Sequence, residues 1–148
     1  MSVLPSFAPR GVGEIVLRVR DLDAMIAFYR KTLGLELLRR FGDDIAFLRV
    51  AEGYAGHTQI IGFFRHEMPS NFRRRAWLGH APDGTTLHHF ALEIARDDYD
   101  KALTHLAGLG IETDTAVHAW IGWRSIYFRD PEENTVELVC FDATVKRE

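Results

Sequence analysis

Hydrophobic and polar residues alternate along two stretches of the chain, and a helical pattern follows each of them. The first stretch starts at Glu14 and the second at His89, and a period of two is typical of a β-strand with one buried face. An aspartate cluster follows each stretch and can cap the next helix. Each predicted helix carries one apolar stripe, made of Leu22, Met25, Ile26, Tyr29 and Leu33 in the first and Tyr99, Ala102, Leu103, Leu106 and Leu109 in the second.

Both predicted helices end at a glycine, Gly34 or Gly110, which suits the left-handed position after a helix. Strand-like runs follow each glycine, at 36–40, 45–50 and 58–64 in the first half and at 111–116, 124–128 and 135–141 in the second. The offset between the halves is 75 at the strand start and 76 at the glycine. The chain therefore contains two copies of one β-α-β-β-β unit, and the predicted fold class is α+β.

We expect a single domain over residues 1–148, with module 1 at about 11–65, a connector at 66–86 and module 2 at about 87–142. Two such modules, each a curved mixed sheet with a helix on its back, can pair to enclose a cleft. On the first and last strands, alternation assigns these residues to the concave face: Glu14, Val16, Arg18, His89, Ala91, Glu93, Glu137, Val139 and Phe141.

Two adjacent histidines, His88 and His89, stand at the start of the second alternating stretch. Successive side chains of a strand point to opposite faces, so we expect the two to differ in role. The repeat makes His89 the counterpart of Glu14. We therefore expect His88 to be structural, on the helix side or at a strand margin.

Composition narrows the function classes only moderately. The formal net charge is −3, which gives no reason to expect a nucleic-acid partner. No apolar run approaches the roughly 20 residues of a membrane span, so no membrane partner is expected. The chain has one cysteine, Cys140, which excludes an internal disulfide and fits a reducing, cytoplasmic compartment.

Two motifs, RVRDLD…FYRKTLGLE in the first half and YFRDPEENTVELV in the second, resemble those of the vicinal oxygen chelate superfamily. That superfamily includes glyoxalase I, extradiol ring-cleavage dioxygenases, methylmalonyl-CoA epimerase, and the fosfomycin and bleomycin resistance proteins. The resemblance covers nearly the whole chain. It implies a small-molecule substrate and a homodimer, formed with or without exchange of modules between chains.

The resemblance also implies a divalent metal ion bound by the first and last strands of both modules. Carried over by position, its ligands are Glu14 and His89 on the first strands, and Gln59 and Glu137 on the last strands, where Gln59 is taken as the counterpart of Glu137. One imidazole, two carboxylates and an amide oxygen suit Fe, Mn, Ni or Zn. Two adjacent substrate oxygens would occupy the open coordination positions.

An extradiol dioxygenase is the first of three activities that the resemblance leaves open. His118, Tyr127 and Glu137 follow each other at steps of nine and ten, which is similar to the dioxygenase pattern. His57 lies near the position of that family's acid–base histidine, where a histidine could take the catechol proton. The ion would be Fe(II) or Mn(II). The departure is Glu14, because extradiol sites have two histidines and one carboxylate.

The second activity is glyoxalase-like or epimerase-like, with Zn(II) or Ni(II) stabilising an enediolate while a glutamate moves a proton. The third is a protein that binds no metal and sequesters a ligand in its cleft. Aromatic residues that could line such a cleft are Phe47, Phe63, Trp120, Trp123 and Phe141. The sequence identifies neither the substrate nor the metal.

Overall fold

The computed structural model describes residues 11–68 and 87–146, so most of the expected connector at 66–86 lies outside the described residues. The chain divides into two compact units after Met68. No helix within the described ranges is long and apolar enough to cross a membrane.

Unit 1 contains four strands and one helix in the predicted order. Its elements are β1 (Glu14–Val19), α1 (Leu22–Leu33), β2 (Glu36–Phe41), β3 (Ile45–Glu52) and β4 (Thr58–Arg65). The sheet order is β1-β4-β3-β2, in which β1 pairs with β4 in parallel and the other pairs are antiparallel.

Unit 2 repeats this arrangement. Its elements are β5 (Phe90–Glu93), α2 (Tyr99–Gly108), β6 (Asp114–His118), β7 (Trp123–Arg129) and β8 (Thr135–Phe141). The order is β5-β8-β7-β6, again with one parallel pair, β5 with β8. The predicted α+β class and the β-α-β-β-β order of both modules are therefore confirmed.

One strand starts later than the sequence pattern indicated. The run 111–116 was expected to be extended, whereas β6 begins at Asp114. The backbone N–H of Ile111 donates to Leu106 O at 3.0 Å and so belongs to the helix exit, where Gly110 has a φ of 72°. The shift makes His118 the last residue of a strand.

The cores of both units lie between the helix and one face of the sheet. In unit 1 the Tyr29 ring packs against Phe63, with centroids 5.1 Å apart, and Leu17 and Val19 are buried beside them. In unit 2 the Tyr99 hydroxyl donates to Ser125 O at 3.1 Å, and Cys140 is buried as a small core residue. The opposite face of the sheet carries Ser125 and Glu137, in contact with each other, in unit 2, whereas in unit 1 it carries Phe47 against Phe41 and Phe64.

Candidate functional site

Glu137 is a buried carboxylate in the middle of unit 2. It lies on β8 between Ala91 of β5 and Tyr127 of β7, and only 4% of its surface is exposed. The Ser125 hydroxyl donates to Oε1, and His89 Nε2 lies 3.1 Å from Oε2. A buried carboxylate without donors would be costly, so these two contacts explain how Glu137 is tolerated there.

The His89–Glu137 pair could supply two of the ligand atoms of a divalent ion. Two ligand atoms about 2.1 Å from one ion and at right angles to each other lie about 3 Å apart. Imidazole nitrogen with carboxylate oxygen suits Fe, Mn, Ni or Zn. Within the described part of this unit no group of three or more such side chains forms, so a complete coordination sphere needs further ligands.

A second polar pair, His118 and Tyr127, borders the first. His118 Nε2 is 3.0 Å from the Tyr127 hydroxyl, and the Tyr127 ring meets the His89 ring edge-on, with centroids 6.1 Å apart. Burial and the nearby Glu137 carboxylate raise the pKa of Tyr127. The structure thus brings together His89, His118, Tyr127 and Glu137.

Ser125 is a member of this cluster that the sequence alone did not identify. It is fully buried on β7, two residues before Tyr127 and therefore on the same face of the sheet. A lone serine in a strand has no motif around it. Only its two-residue spacing from Tyr127 could have suggested it.

His88 lies at the margin of β5, which is one of the two places expected for it, but the expectation that strand alternation separates it from His89 is wrong. Strand β5 begins at Phe90, so both histidines precede the strand and its alternation does not apply to them. Their Nδ1 atoms are 2.6 Å apart, and their rings meet at 72°. His88 therefore contacts the candidate ligand His89 directly.

In unit 1, the register of β1 on β4 changes the expected correspondence between the two modules. Val16 pairs with Gly62, whereas Ala91, its counterpart at the offset of 75, pairs with Glu137. Gly62, and not Gln59, is therefore the counterpart of Glu137. Gln59 instead pairs with Ala51, beyond a bulge in the β3–β4 ladder that the sequence pattern did not show.

Gly62 leaves room for the side chains around it. A Cβ atom at this position would lie 3.1 Å from Val16 Cγ2 and 3.2 Å from Glu14 Oε1. The carboxylate of Glu14 thus lies close to the backbone of Gly62. Gly62 corresponds to the buried Glu137 of unit 2. In unit 1 a carboxylate also lies near this position, but it belongs to Glu14 on the neighbouring strand.

His57 and Gln59 line one small cleft of unit 1. The cleft has a volume of about 250 Å³, and its other lining residues include Gly53 and Tyr54. His57 follows a 3₁₀ turn and precedes β4, and its carbonyl accepts a hydrogen bond from Gly53 N at 2.6 Å. The two residues share this cleft. Within the described ranges, His57 is not part of any group of three or more His, Cys, Asp or Glu side chains that could hold an ion.

The five aromatic residues expected to line a pocket have different environments. Phe63 is fully buried in the core of unit 1. Phe47 lies on the opposite face, edge-on to Phe41 and Phe64 with centroids 6.2 and 5.8 Å apart. In unit 2, Trp120, Trp123 and Phe141 are exposed by 71%, 36% and 50%.

Three solved structures illustrate the similarity of fold. A lactoylglutathione lyase from Agrobacterium tumefaciens has 27% sequence identity and a TM-score of 0.66, over 89% of this chain and 94% of that one. A point mutant of the fosfomycin resistance protein FosX from Listeria monocytogenes, in complex with Mn(II) and 1S,2S-dihydroxypropylphosphonic acid, has 23% identity and a TM-score of 0.63, over 92% and 94%. A glyoxalase/bleomycin resistance protein/dioxygenase from Nocardioides has 24% identity and a TM-score of 0.68, over 97% and 91%.

A family model matches residues 11–138, which include every described strand and helix except the last three residues of β8. The match agrees with the two β-α-β-β-β units and with the resemblance carried by the two sequence motifs. The chain belongs to the Glyoxalase/Bleomycin resistance protein/Dioxygenase superfamily.

Proposed function

We propose that the chain is a divalent-metal-dependent enzyme that acts on a small substrate with two adjacent oxygens, and that His89 and Glu137 hold the ion. The observation that carries this proposal is the 3.1 Å approach of His89 Nε2 to the buried Glu137 carboxylate. The Mn(II) bound to the similar FosX supports it. Glu14 and Gln59 stay predicted ligands, and Gln59 has lost the support of its expected equivalence with Glu137.

We further propose that the reaction is closest to extradiol ring cleavage of a catechol. Fe(II) or Mn(II) would supply the positive charge that draws both hydroxyl oxygens of the diol to the site. The support is the His118–Tyr127 pair beside the Glu137 carboxylate, because these residues can orient a substrate hydroxyl and hold its proton between Oη and Nε2. His57, in unit 1, stays a predicted acid–base residue.

A glyoxalase-like or epimerase-like reaction is the second candidate. The observation that favours it is the 27% identity with the lactoylglutathione lyase. The replacement of the expected first histidine by Glu14 also departs from the dioxygenase ligand set. In that case the ion would be Zn(II) or Ni(II), and a carboxylate of this chain would move a proton next to a carbonyl group. A homodimer is proposed for either reaction from the family resemblance.

Metal analysis tests the site before any substrate is known. We expect protein purified without added metal to bind one Fe(II), Mn(II), Zn(II) or Ni(II) ion per chain in anaerobic calorimetry. Glu137→Gln keeps the size of the side chain but removes the anionic ligand, so affinity should fall by more than the roughly 100-fold that an outer-shell change can cost. Glu93→Gln, an exposed carboxylate on β5, is the matched control and should bind like the wild type.

Activity measurements then separate the reactions. Oxygen uptake with Fe(II)-loaded protein on a panel of catechols would support ring cleavage. Proton exchange on α-hydroxycarbonyl compounds without oxygen uptake would favour the second candidate. Absence of binding by all four ions, in protein that is folded by circular dichroism, would contradict both and leave a ligand-sequestering protein.

A further inference from the structure

The short contact between His88 and His89 points to a role for His88 that neither the family motifs nor the sequence pattern assign. We propose that His88 is a positioning residue. It fixes the orientation of His89, and it accepts a hydrogen bond from His89 Nδ1 when the ion binds. The inference rests on the proposed function, since it concerns the same metal site.

In the absence of an ion, the contacts of His89 determine where its proton lies. The Glu137 carboxylate is an acceptor, so His89 Nε2 carries a hydrogen and donates to Oε2 across 3.1 Å. A neutral His89 then has a lone pair on Nδ1. Two nitrogens 2.6 Å apart share one hydrogen, and with both rings neutral it belongs to His88 Nδ1.

Binding of an ion reverses that hydrogen bond. Metal ligation requires the lone pair of His89 Nε2, so the hydrogen of a neutral His89 must be on Nδ1. His89 Nδ1 then donates to His88 Nδ1, and the hydrogen of His88 moves to its own Nε2. Two imidazole hydrogens are present before and after, so the pair changes tautomer without gaining or losing a proton.

The surroundings of His88 suit this role. Both histidines precede β5, so their backbone is not held in the strand ladder and the two rings can face each other. His88 is exposed, so its outer nitrogen needs no fixed protein partner to accept or release a hydrogen. Protein partners of metal-ligating histidines usually fix the tautomer in the same manner, and their loss costs about 10- to 100-fold in metal affinity.

The test uses the full chain labelled with ¹⁵N, with Zn(II) as a diamagnetic probe. Long-range ¹H–¹⁵N spectra assign the tautomer of each histidine during the titration. We expect His89 to change from Nε2–H to Nδ1–H and His88 from Nδ1–H to Nε2–H, both in proportion to bound Zn(II). An unchanged His88 tautomer in the fully Zn(II)-bound protein would overturn the inference.

Three variants test whether the hydrogen bond of His88, rather than the bulk of its side chain, supports Zn(II) binding. His88→Leu should bind Zn(II) about 10- to 100-fold more weakly. His88→Asn, whose amide can donate or accept near the position of Nδ1, should stay within about threefold of the wild type. His105→Leu, on the exposed surface of α2, is the control and should bind normally.

The outcomes distinguish this inference from the proposed function. If wild-type protein binds no Zn(II), Fe(II), Mn(II) or Ni(II), the metal site itself is wrong. If the wild type binds Zn(II) and His88→Leu binds it equally well, the metal site stands and the role of His88 is overturned. Equal losses in His88→Leu and His88→Asn would also overturn it, because the hydrogen bond would then not be the cause.

Discussion

The two units share a sheet order and a strand register, yet they differ in chemistry at matched positions. Around the centre of the last strand, unit 2 places Ala91, Glu137 and Tyr127 side by side. In unit 1 the same register positions hold Val16, Gly62 and Phe47. The sheet therefore forms without a buried carboxylate or a tyrosine hydroxyl at this point, and the polar cluster of unit 2 is an addition to the fold.

The side chains around these positions follow the same contrast. In unit 2, Ser125 and His89 contact the Glu137 carboxylate. In unit 1, Phe47 contacts the rings of Phe41 and Phe64, which is an apolar arrangement. Matched substitutions between the two units can therefore show which differences matter for function.

The largest effect is expected from exchanging the central aromatic residues. Tyr127→Phe gives unit 2 the side chain of unit 1 and removes the hydroxyl that contacts His118 at 3.0 Å. Turnover should fall by about 10²- to 10⁴-fold, the range for loss of a proton-transferring group. Metal affinity should be unchanged, since Tyr127 is not a proposed ligand. The measurements are kcat on the substrate found by oxygen uptake or proton exchange, and calorimetry with the metal.

Phe47→Tyr is the reciprocal control for that exchange. It adds a hydroxyl at the same register position of unit 1, where the ring lies against Phe41 and Phe64. Turnover should stay within about threefold of the wild type, well short of the loss from a proton-transferring group. Wild-type turnover in Tyr127→Phe would show that the His118–Tyr127 pair has no part in the reaction.

A smaller effect is expected from Ser125→Ala, which removes a hydroxyl from the polar cluster and moves that position toward the apolar character of unit 1. The change deprives Glu137 Oε1 of its donor, so the carboxylate loses part of its fixed orientation. The dissociation constant for Zn(II) should rise about 10- to 100-fold. Thr115→Ala, on the exposed face of β6, is the control. A dissociation constant equal to that of the wild type would mean that Glu137 is held without Ser125.

Local periodicity was sufficient to predict most of the fold. The stripe that includes Met25, Ile26 and Tyr29 is buried on α1, and the predicted bounds of β4 and β8 agree with the structure to within one residue. These features depend on residues close in sequence, so a single sequence contains the information that determines them. The late start of β6 depends instead on a helix-exit hydrogen bond, which periodicity does not reveal.

The site was less predictable, because it depends on pairing between strands. The equivalence of Gln59 and Glu137 is contradicted by the β1–β4 register, in which Gly62 takes the place of Glu137. The offset of 75 between the halves leads to the same residue, so the strand starts predicted this position better than the residue types did. The contact between His88 and His89 depends on where β5 begins, a boundary that an alternating pattern leaves uncertain. The sequence could therefore suggest which residues take part in the site. Which residues contact each other depends on the strand boundaries and on the register of strand pairing.

The smallest effect is expected on the free energy of unfolding, from substitutions of the aspartates just before α1 and α2. Asp21 caps α1, since its Oδ1 accepts from Ala24 N at 2.9 Å, whereas the side chain of Asp98 makes no such bond at the start of α2 and pairs with Lys101 instead. The sequence predicted a cap at both aspartate clusters. Asp21→Ala should therefore lower the free energy of unfolding by about 1 kcal/mol, and Asp21→Ser should restore most of it. Asp98→Ala should be indistinguishable from the wild type in urea unfolding, because an exposed ion pair contributes little. Equal losses at the two positions would show that Asp98 caps its helix in solution as well, and that the two units begin their helices in the same way.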